Sequence, residues 1–288
     1  LDWMQVYMEA QESAGKKDGS QIKIAMRILK DYAGEMVTLD QIDGDFCRGY
    51  ITYLLTEYHP KGKDISNYTL HNYYRALNGA LNSAVRKKKM KANPFNELEK
   101  SEKIRKPESM RSYMTIEEVQ ALIDTPMPHE EYEIVKCAYL FSCFCGLRIS
   151  DIIKLKWNDV FVDRGQYRLA VSMKKTKEPI YLPLSPEALK WMPERGGKSS
   201  EDNVFDLPSA NTIRMQLKPW AKAAGISKRF SYHTSRHTFA TMMLTLGADL
   251  YTVSKLLGHA DVKMTQVYAK IINKKKDEAV NLVNGLFH

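Results

Sequence analysis

A polar, basic segment divides this chain, and it limits the possible folds more than any other feature of the sequence. The segment SEKIRKPESMRS, from Ser101 to Ser112, contains Pro107 and almost no apolar residues, which is the composition of a linker. At 288 residues the chain is long enough for two ordinary domains. We therefore predict a first domain over residues 1–102, a linker over 103–112 and a second domain over 113–288.

The first domain is predicted to be a helical bundle. Turn-forming residues interrupt it at Gly15 to Gly19, Thr38 to Asp40 and His59 to Asp64, and no strand pattern competes. The clearest helix begins near Thr69 and ends before Asn93-Pro94. Its apolar stripe, with steps of three or four residues, consists of Leu70, Tyr73, Leu77, Leu81 and Ala84.

The second domain is predicted to be mainly helical with one small sheet, an α+β arrangement. Thr115 and Glu118 in TIEE form a capping box that opens an amphipathic helix. Further helices are predicted over Ala210 to Ala224, Arg236 to Leu246 and Leu250 to Leu257. A hairpin is predicted because apolar residues alternate on both sides of KKTKE. They are Tyr167, Leu169 and Val171 before it, and Ile180, Leu182 and Leu184 after it, which places Lys175 at or near the turn.

Composition and charge narrow the class of protein. Lys and Arg number 43 against 34 Asp and Glu, and the resulting +9 favours a polyanionic partner. The four cysteines form no CxxC pair and predict neither a zinc site nor a disulfide framework, which fits a reducing cytosol. No apolar run reaches the ~18 residues of a membrane span, and no signal pattern opens the chain. Because it begins at Leu1 and not at Met, the sequence is compatible with a trimmed fragment.

Basic residues cluster where the Thr69 helix ends. They are Arg86, Lys87, Lys88, Lys89 and Lys91, with Arg75 on the same helix. Cations at a helix C-terminus interact favourably with its dipole, so one interpretation is a solvated cap. The other is contact with DNA phosphates, which the interleaved tyrosines Tyr68, Tyr73 and Tyr74 would suit. The sequence leaves both interpretations open.

Several residues of the second domain could bind an anion. Arg148 follows the apolar run AYLFSCFCGL, so its charge falls at the end of a buried helix and needs a partner. That partner is either an anionic ligand or one of the neighbouring carboxylates, Asp151 or Asp159. His233 and Arg236 stand three apart and share a face if the helix already includes His233. His237 is expected to point elsewhere and to hydrogen-bond within the core.

Two further residues are ambiguous when each is taken alone. His259 directly follows Gly258, where a histidine either caps the preceding helix or contacts a ligand. Tyr268 lies among Val267, Ala269 and Ile271, and a tyrosine in such company usually belongs to the core. Neither position decides a function by itself.

Taken together, these residues resemble a known family. The order Arg148, Lys175, HxxR, LLGH and Tyr268, carried by HTSRHTFAT and GADLYTVSKLLGHADVKMTQVYAKI, is similar to that of the tyrosine recombinases or phage integrases. Within that family the chain resembles Xer-like and conjugative-transposon-like integrases. The resemblance covers the chain from about Tyr113 onward, whereas the first domain resembles the family's SAM-like core-binding domain only as a helical unit. Ser235 stands where the family often has an apolar residue, a minor departure.

The resemblance implies a role for each matching residue. Tyr268 would be the nucleophile that attacks the scissile phosphate, leaving a 3′-phosphotyrosyl link and a free 5′-hydroxyl. Arg148 and Arg236 would clamp the non-bridging oxygens, and His259 would add a hydrogen bond. Lys175, favoured over Lys174 and Lys177 by the register of Leu182-Pro183-Leu184, would protonate the leaving oxygen. His233 would assist removal of the tyrosine proton.

The resemblance also implies partners. Duplex DNA is the expected substrate, with strands exchanged through a Holliday junction by a tetramer, for which Val283, Leu286 and Phe287 in the tail would supply contacts. No cofactor, metal, ATP or membrane is expected, accessory DNA-bending proteins are allowed, and the expected location is the bacterial cytoplasm, on the nucleoid when bound to DNA. The alternatives are a type IB topoisomerase and a DNA-binding relative that has lost catalysis.

Overall fold

The chain forms two compact units, residues 1–109 and 110–288. The computed structural model describes residues 2–15, 19–107, 111–172 and 179–269. Each unit has its own hydrophobic core. In the described part of the chain, no helix is long and apolar enough to cross a membrane.

The first unit is a helical bundle. Its helices are α1 (Asp2–Ser13), α2 (Gly19–Ala33), α3 (Gly44–Thr56) and α4 (Asn67–Arg86), and short 3-10 turns lie at Leu39–Gln41, Pro60–Gly62 and Pro94–Asn96. Side-chain caps begin two of the helices: Phe46 N donates to Asp43 Oδ1 at 2.8 Å, and Thr69 N donates to Ser66 Oγ at 3.3 Å. Helix α2 packs against both α1 and α4.

Helix α4 confirms the strongest predicted helix, although one member of its stripe is different. The helix begins at Asn67, two residues before Thr69, and buries Leu70, Leu77, Leu81 and Ala84 as predicted. Tyr74 is buried in place of Tyr73, which packs only partly against the core. The reason is tertiary, because the Tyr74 ring meets Phe95 edge to face at 5.0 Å, and Phe95 lies beyond the helix.

The second unit is built around helix α6 (Glu133–Cys145), nearly all of which is buried. Around it lie α5 (Ile116–Asp124), α7 (Ile149–Ile152), α8 (Pro186–Lys190), α9 (Ala210–Ala223), α10 (Tyr232–Thr245), α11 (Leu250–Leu256) and α12 (Lys263–Ala269), with 3-10 turns at Glu130–Tyr132 and Trp157–Asp159. The predicted capping box is confirmed, since Thr115 N donates to Glu118 Oε2 at 2.7 Å and Glu118 N donates to Thr115 Oγ1 at 3.2 Å.

Three antiparallel strands form the small sheet, in the order β1-β2-β3. They are β1 (Val160–Asp163), β2 (Gln166–Ser172) and β3 (Pro179–Pro183), and Leu169 pairs with Leu182. The two predicted strands are confirmed, whereas β1 was not predicted. It joins β2 through Arg164 and Gly165, whose φ angles of 49° and 78° suit a tight two-residue turn.

The four cysteines all lie in described ranges and are free thiols. Burial raises the pKa of Cys47 and that of Cys145 to about 12. Such thiols remain protonated at neutral pH and are poor nucleophiles.

Candidate active site

Arg148 reaches the site because helix α6 ends sharply at Gly146. Gly146 has a φ of 75°, and its N–H donates to Ser142 O at 2.9 Å. Two residues later Arg148 caps helix α7, and its backbone N–H donates to Asp151 Oδ2 at 3.3 Å. The Arg148 Nη1 atom lies 3.9 Å from that oxygen, while Asp159 accepts from Lys156 N instead. Asp151 is therefore the neighbouring carboxylate, at a distance too long for a strong ion pair.

Arg236 lies on helix α10, which begins at Tyr232. The helix therefore includes His233, and His233 and Arg236 share a face as their spacing predicted. The Arg236 side chain is buried, and Nη1 donates to Gly146 O at 2.7 Å while Nη2 donates to Leu257 O at 2.6 Å. The guanidinium thereby ties the end of α6 to the end of α11. Burial, followed by the positive charge of Arg148, lowers the pKa of Arg236 to about 10, so it stays charged at neutral pH.

His259 closes the preceding helix through its backbone, which is one of the two roles that the sequence left open, and its ring contacts Thr265. Its backbone N–H donates to Ser254 O at 3.0 Å and closes the end of α11. Its Nδ1 atom lies 2.7 Å from the hydroxyl of Thr265, which is fully buried on α12. When Thr265 donates to Nδ1, the ring proton sits on Nε2, the tautomer that can donate to an anion. Burial, then the charges of Arg236 and Arg148, lowers the pKa of His259 to about 4.

Tyr268 combines a core ring with a polar hydroxyl. The residue is 1% exposed and packs against Phe239, Val253 and Leu257. Its hydroxyl lies 2.6 Å from His237 Nδ1 and accepts from Arg111 Nη1 at 3.2 Å. The ring therefore belongs to the core, whereas the hydroxyl has two polar partners.

His237 and Arg111 are the residues that the sequence reasoning missed as neighbours of Tyr268. His237 was expected to hydrogen-bond within the core, and the group that it meets is the tyrosine hydroxyl. A signal was available, because His233 and His237 stand four apart on one helix and so share a face; their ring centroids are 4.5 Å apart. Arg111 offered no signal, since it falls in the predicted linker and lies 157 residues from Tyr268 in sequence.

Electrostatic effects show that these residues occupy one site. The protein packed around His233 lowers its pKa, and the next causes are the positive charges of Arg236, Arg111 and Arg148. His233 is exposed, Arg148 is about one-third exposed and His259 is half-buried. Of the six predicted site residues, five therefore converge: Arg148, His233, Arg236, His259 and Tyr268. Lys175 lies outside the described residues.

The arrangement is suited to bind an oxyanion next to a tyrosine. Arg148, Arg236 and Arg111 bring three positive charges together, and Asp151 is the carboxylate that offsets part of them. Guanidiniums bind phosphate oxygens strongly and with defined geometry. A bound phosphate would complete the charge balance of the site.

The predicted DNA-contact residues lie on α4 or just after it, and the predicted assembly residues lie in the C-terminal tail. Arg75, Arg86, Lys87, Lys88, Lys89 and Lys91 belong to the first unit and are all exposed. The Lys87 ammonium lies 5.7 Å from the centre of the Trp3 ring, so this lysine also has a structural contact. Val283, Leu286 and Phe287 lie outside the described residues.

Comparison with known families agrees with this geometry. The phage integrase family model matches residues 112–275, and the phage integrase SAM-like domain matches residues 1–106. This chain belongs to the phage integrase family of tyrosine recombinases. It is accordingly a site-specific recombinase of the tyrosine type, and neither the topoisomerase nor the silent DNA-binding alternative is favoured.

Individual relatives support the assignment. A tyrosine recombinase of Pseudothermotoga lettingae is 29% identical over 76% of this chain and 82% of its own. The tyrosine recombinase XerD of Vibrio vulnificus is 32% identical over 59% of each chain, so the match spans little more than half of that relative.

Solved structures share the fold across nearly the whole chain. The XerH recombinase bound to a palindromic difH substrate has a TM-score of 0.71 at 16% identity, covering 97% of this chain and 94% of its own. The Tn1549 transposon integrase in complex with circular intermediate DNA gives 0.68 at 19%, covering 92% and 94%. A lambda integrase dimer bound to a core site gives 0.67 at 21%, covering 93% and 94%. The predicted fold class, a SAM-like helical domain with a mainly helical catalytic domain, is confirmed.

Proposed function

We propose that this recombinase cleaves and rejoins duplex DNA by attack of the Tyr268 hydroxyl on a backbone phosphate. The product is a 3′-phosphotyrosyl link with a free 5′-hydroxyl, and strands are exchanged through a Holliday junction. The observation that carries the proposal is the convergence of two guanidiniums and several histidines around one tyrosine. Because the covalent ester retains the energy of the broken bond, rejoining requires no ATP.

Arg148 and Arg236 hold the two non-bridging oxygens of the phosphate in this proposal. Arg236 is already oriented by the carbonyls of Gly146 and Leu257, so it does not have to be ordered when the substrate arrives. Such preorganised donors stabilise the charge that develops on the oxygens in the transition state. His259 supplies a third donor from Nε2 while Thr265 holds its Nδ1. Guanidiniums thus supply the positive charge and a neutral imidazole supplies a further hydrogen bond, and the mechanism includes neither metal nor cofactor.

Proton transfers complete the reaction. Lys175 is proposed to protonate the leaving 5′-oxygen. His233 is proposed to assist removal of the tyrosine proton, and its ring packs edge to face on His237, which touches the hydroxyl. Tyr268 is 1% exposed, so we expect DNA binding to move residues that surround it, with α10 and α12 still packed together, until a phosphate can meet the oxygen.

The partners are proposed from charge and from the relatives. Solved relatives are described as bound to DNA, and this chain carries a net charge of +9. The exposed cluster on and after α4, namely Arg75, Arg86, Lys87, Lys88, Lys89 and Lys91, is proposed to contact phosphates of the DNA backbone.

Assembly on DNA is proposed to be tetrameric, with contacts from Val283, Leu286 and Phe287 and with accessory DNA-bending proteins as further partners. The proposed location is the cytoplasm, on the nucleoid when the protein is bound to DNA. Deletion of residues 277–288 should abolish tetramer formation, measured by light scattering on the DNA complex. Unchanged tetramers would reject the role of the tail.

A suicide substrate tests the catalytic proposal. Nicked DNA traps the covalent intermediate, so adduct should form with the unaltered chain and disappear in Tyr268→Phe, while DNA binding is retained. Tyr251→Phe is the matched control, because Tyr251 is 60% exposed on α11. Adduct formation by Tyr268→Phe would show that another residue is the nucleophile.

A further inference from the structure

We infer that His237 takes the proton of the Tyr268 hydroxyl during attack and that Arg111 holds the same oxygen as it becomes negative. This inference rests on the proposed cleavage by Tyr268, and it adds to that reaction two groups in contact with its reacting oxygen. His233, the residue predicted for proton removal, would then act through His237.

The direction of the hydrogen bonds supports these roles. A guanidinium can only donate, so the Tyr268 oxygen accepts from Arg111. Within the described residues, His237 Nδ1 is the other partner of this hydroxyl, at 2.6 Å. The hydroxyl proton therefore points to Nδ1, and the imidazole carries its own proton on Nε2. This is the arrangement that a general base requires before transfer.

The surroundings of His237 keep its ring neutral before the substrate arrives. Burial, followed by the effects of His233, Arg111, Arg236 and His259 in that order, lowers the pKa of His237 to about 3. A phosphate bound by the arginines would bring negative charge to the same place and make the imidazolium less costly. Proton uptake by His237 is thereby coupled to the presence of the substrate.

The backbone fixes both residues relative to each other. His237 lies on α10, and its neighbour Thr238 accepts from Met114 N at 2.9 Å. Thr238 and Met114 are both buried, so this bond holds the segment that carries Arg111 against α10. The Arg111 guanidinium also lies 5.6 Å from the centre of the Tyr268 ring, within range of a cation–π contact.

The proposed step balances. The Tyr268 oxygen forms a bond to phosphorus, its proton moves to His237 Nδ1, and the bond from phosphorus to the 5′-oxygen breaks. The leaving oxygen receives its proton from the proposed donor Lys175. During rejoining the 5′-hydroxyl attacks and gives its proton back to Lys175, the tyrosine oxygen leaves, and His237 returns its proton to that oxygen.

Substitution of His237 by Asn separates basicity from positioning. The Asn amide oxygen can occupy the place of Nδ1 and accept the hydrogen bond, yet it does not take up a proton at neutral pH. We expect His237→Asn to slow single-turnover adduct formation about 100-fold or more at pH 7. Its rate should then rise nearly tenfold per pH unit between pH 7 and 9, because hydroxide would have to remove the tyrosine proton in place of the imidazole. The unaltered chain should change little over that range.

The outcomes distinguish this inference from the proposed function. If His237→Asn forms the Tyr268-dependent adduct at the unaltered rate and with a flat pH profile, the inference alone is overturned. It is also overturned if the rate of adduct formation rises with pH in His233→Asn and not in His237→Asn. Failure of the unaltered chain to form adduct would count against the proposed function. His129→Asn, at an exposed histidine away from these residues, is the control.

Arg111 is tested by substitutions that differ in charge and geometry. Arg111→Gln should slow adduct formation about 100-fold, the usual cost of one preorganised donor, and Arg111→Lys should restore part of the rate. Arg105→Gln removes the same charge from an exposed arginine that lies close to Arg111 in sequence, so it controls for weaker electrostatic attraction to DNA. Equal rates for Arg111→Gln and Arg105→Gln would overturn the role of Arg111.

Nitrogen NMR tests the tautomer in the unaltered protein, which avoids any effect of substitution on folding. In protein labelled with ¹⁵N at histidine, the His237 ring, identified by the resonance that shifts in Tyr268→Phe, should show an unprotonated Nδ1 at pH 7. A protonated Nδ1 would overturn the inference.

Discussion

Gly146 controls the site through backbone conformation, and its replacement by alanine gives the sharpest structural test. Its φ of 75° lies in the left-handed region, which costs a residue with a Cβ about 1–2 kcal/mol. An added Cβ would also lie 2.6 Å from Phe239 Cδ1 and 3.2 Å from Leu257 Cδ2. Overpacking of this kind costs about 1–3 kcal/mol. We therefore expect Gly146→Ala to destabilise the second unit by about 2–5 kcal/mol.

A second glycine isolates the steric part of this effect. Gly225 has the same φ of 75° just after α9, but a Cβ there would meet nothing within 4 Å. Gly225→Ala should therefore show the conformational cost of about 1–2 kcal/mol and no clash. Urea unfolding followed by tryptophan fluorescence compares the variants, because Trp157, Trp191 and Trp220 all lie in the second unit.

The same substitution should impair cleavage. The Gly146 carbonyl accepts from Arg236 at 2.7 Å, so a displaced backbone would move the guanidinium that is proposed to hold the phosphate. We expect adduct formation by Gly146→Ala to fall at least tenfold under conditions where the protein remains folded, and to be unchanged in Gly225→Ala. Equal stability of the two variants, or adduct at the unaltered rate in Gly146→Ala, would refute the reasoning.

Three further predictions concern charge. Arg236→Lys keeps the charge but cannot reach both carbonyls as the fork does, so adduct formation on the suicide substrate should fall about 100-fold or more, while a gel mobility-shift assay should still detect DNA binding. Folding lowers the pKa of His259 from an ordinary value near 6.5 to about 4, so between these pH values the unfolded chain binds more protons than the folded one. The free energy of unfolding therefore decreases as pH falls through this window. Urea unfolding from pH 7 to 4 should show a smaller decrease in His259→Asn than in the unaltered chain. Lys88→Gln should reduce the magnitude of the slope of log K for DNA binding against log salt by about 0.9. Lys190→Gln should leave the slope unchanged, because the Lys190 ammonium pairs with Glu187. Equal slopes in the two variants would show that Lys88 does not contact DNA.

Much of the fold followed from local patterns. The capping box at Thr115 and the stripe of α4 depend on interactions within three or four residues, so the sequence alone predicted them. The β2–β3 hairpin followed from alternating burial, and Leu169 and Leu182 do pair. Strand β1 was not predicted, because VFVD is short and joins the sheet through a turn at Arg164 and Gly165.

The candidate site was predicted less completely. Motif order pointed to Arg148, His233, Arg236, His259 and Tyr268, and the structure brings them together. The sequence did not predict that Arg236 would connect two helix ends through backbone carbonyls. Every residue has a backbone carbonyl, so residue identity does not show which one accepts the hydrogen bond. The roles of these residues and of Lys175 remain predictions for the suicide-substrate assay.

What the sequence by itself determined is therefore the family, the two-domain helical character and the chemical groups available for phosphoryl transfer. Only the tertiary structure decided which groups touch the hydroxyl oxygen of Tyr268. His237 reaches it because α10 and α12 pack together, and Arg111 reaches it across 157 residues of chain. Helical spacing and capping are local and can be read along the chain, whereas a hydrogen bond between distant segments exists only after burial of the core has brought them together.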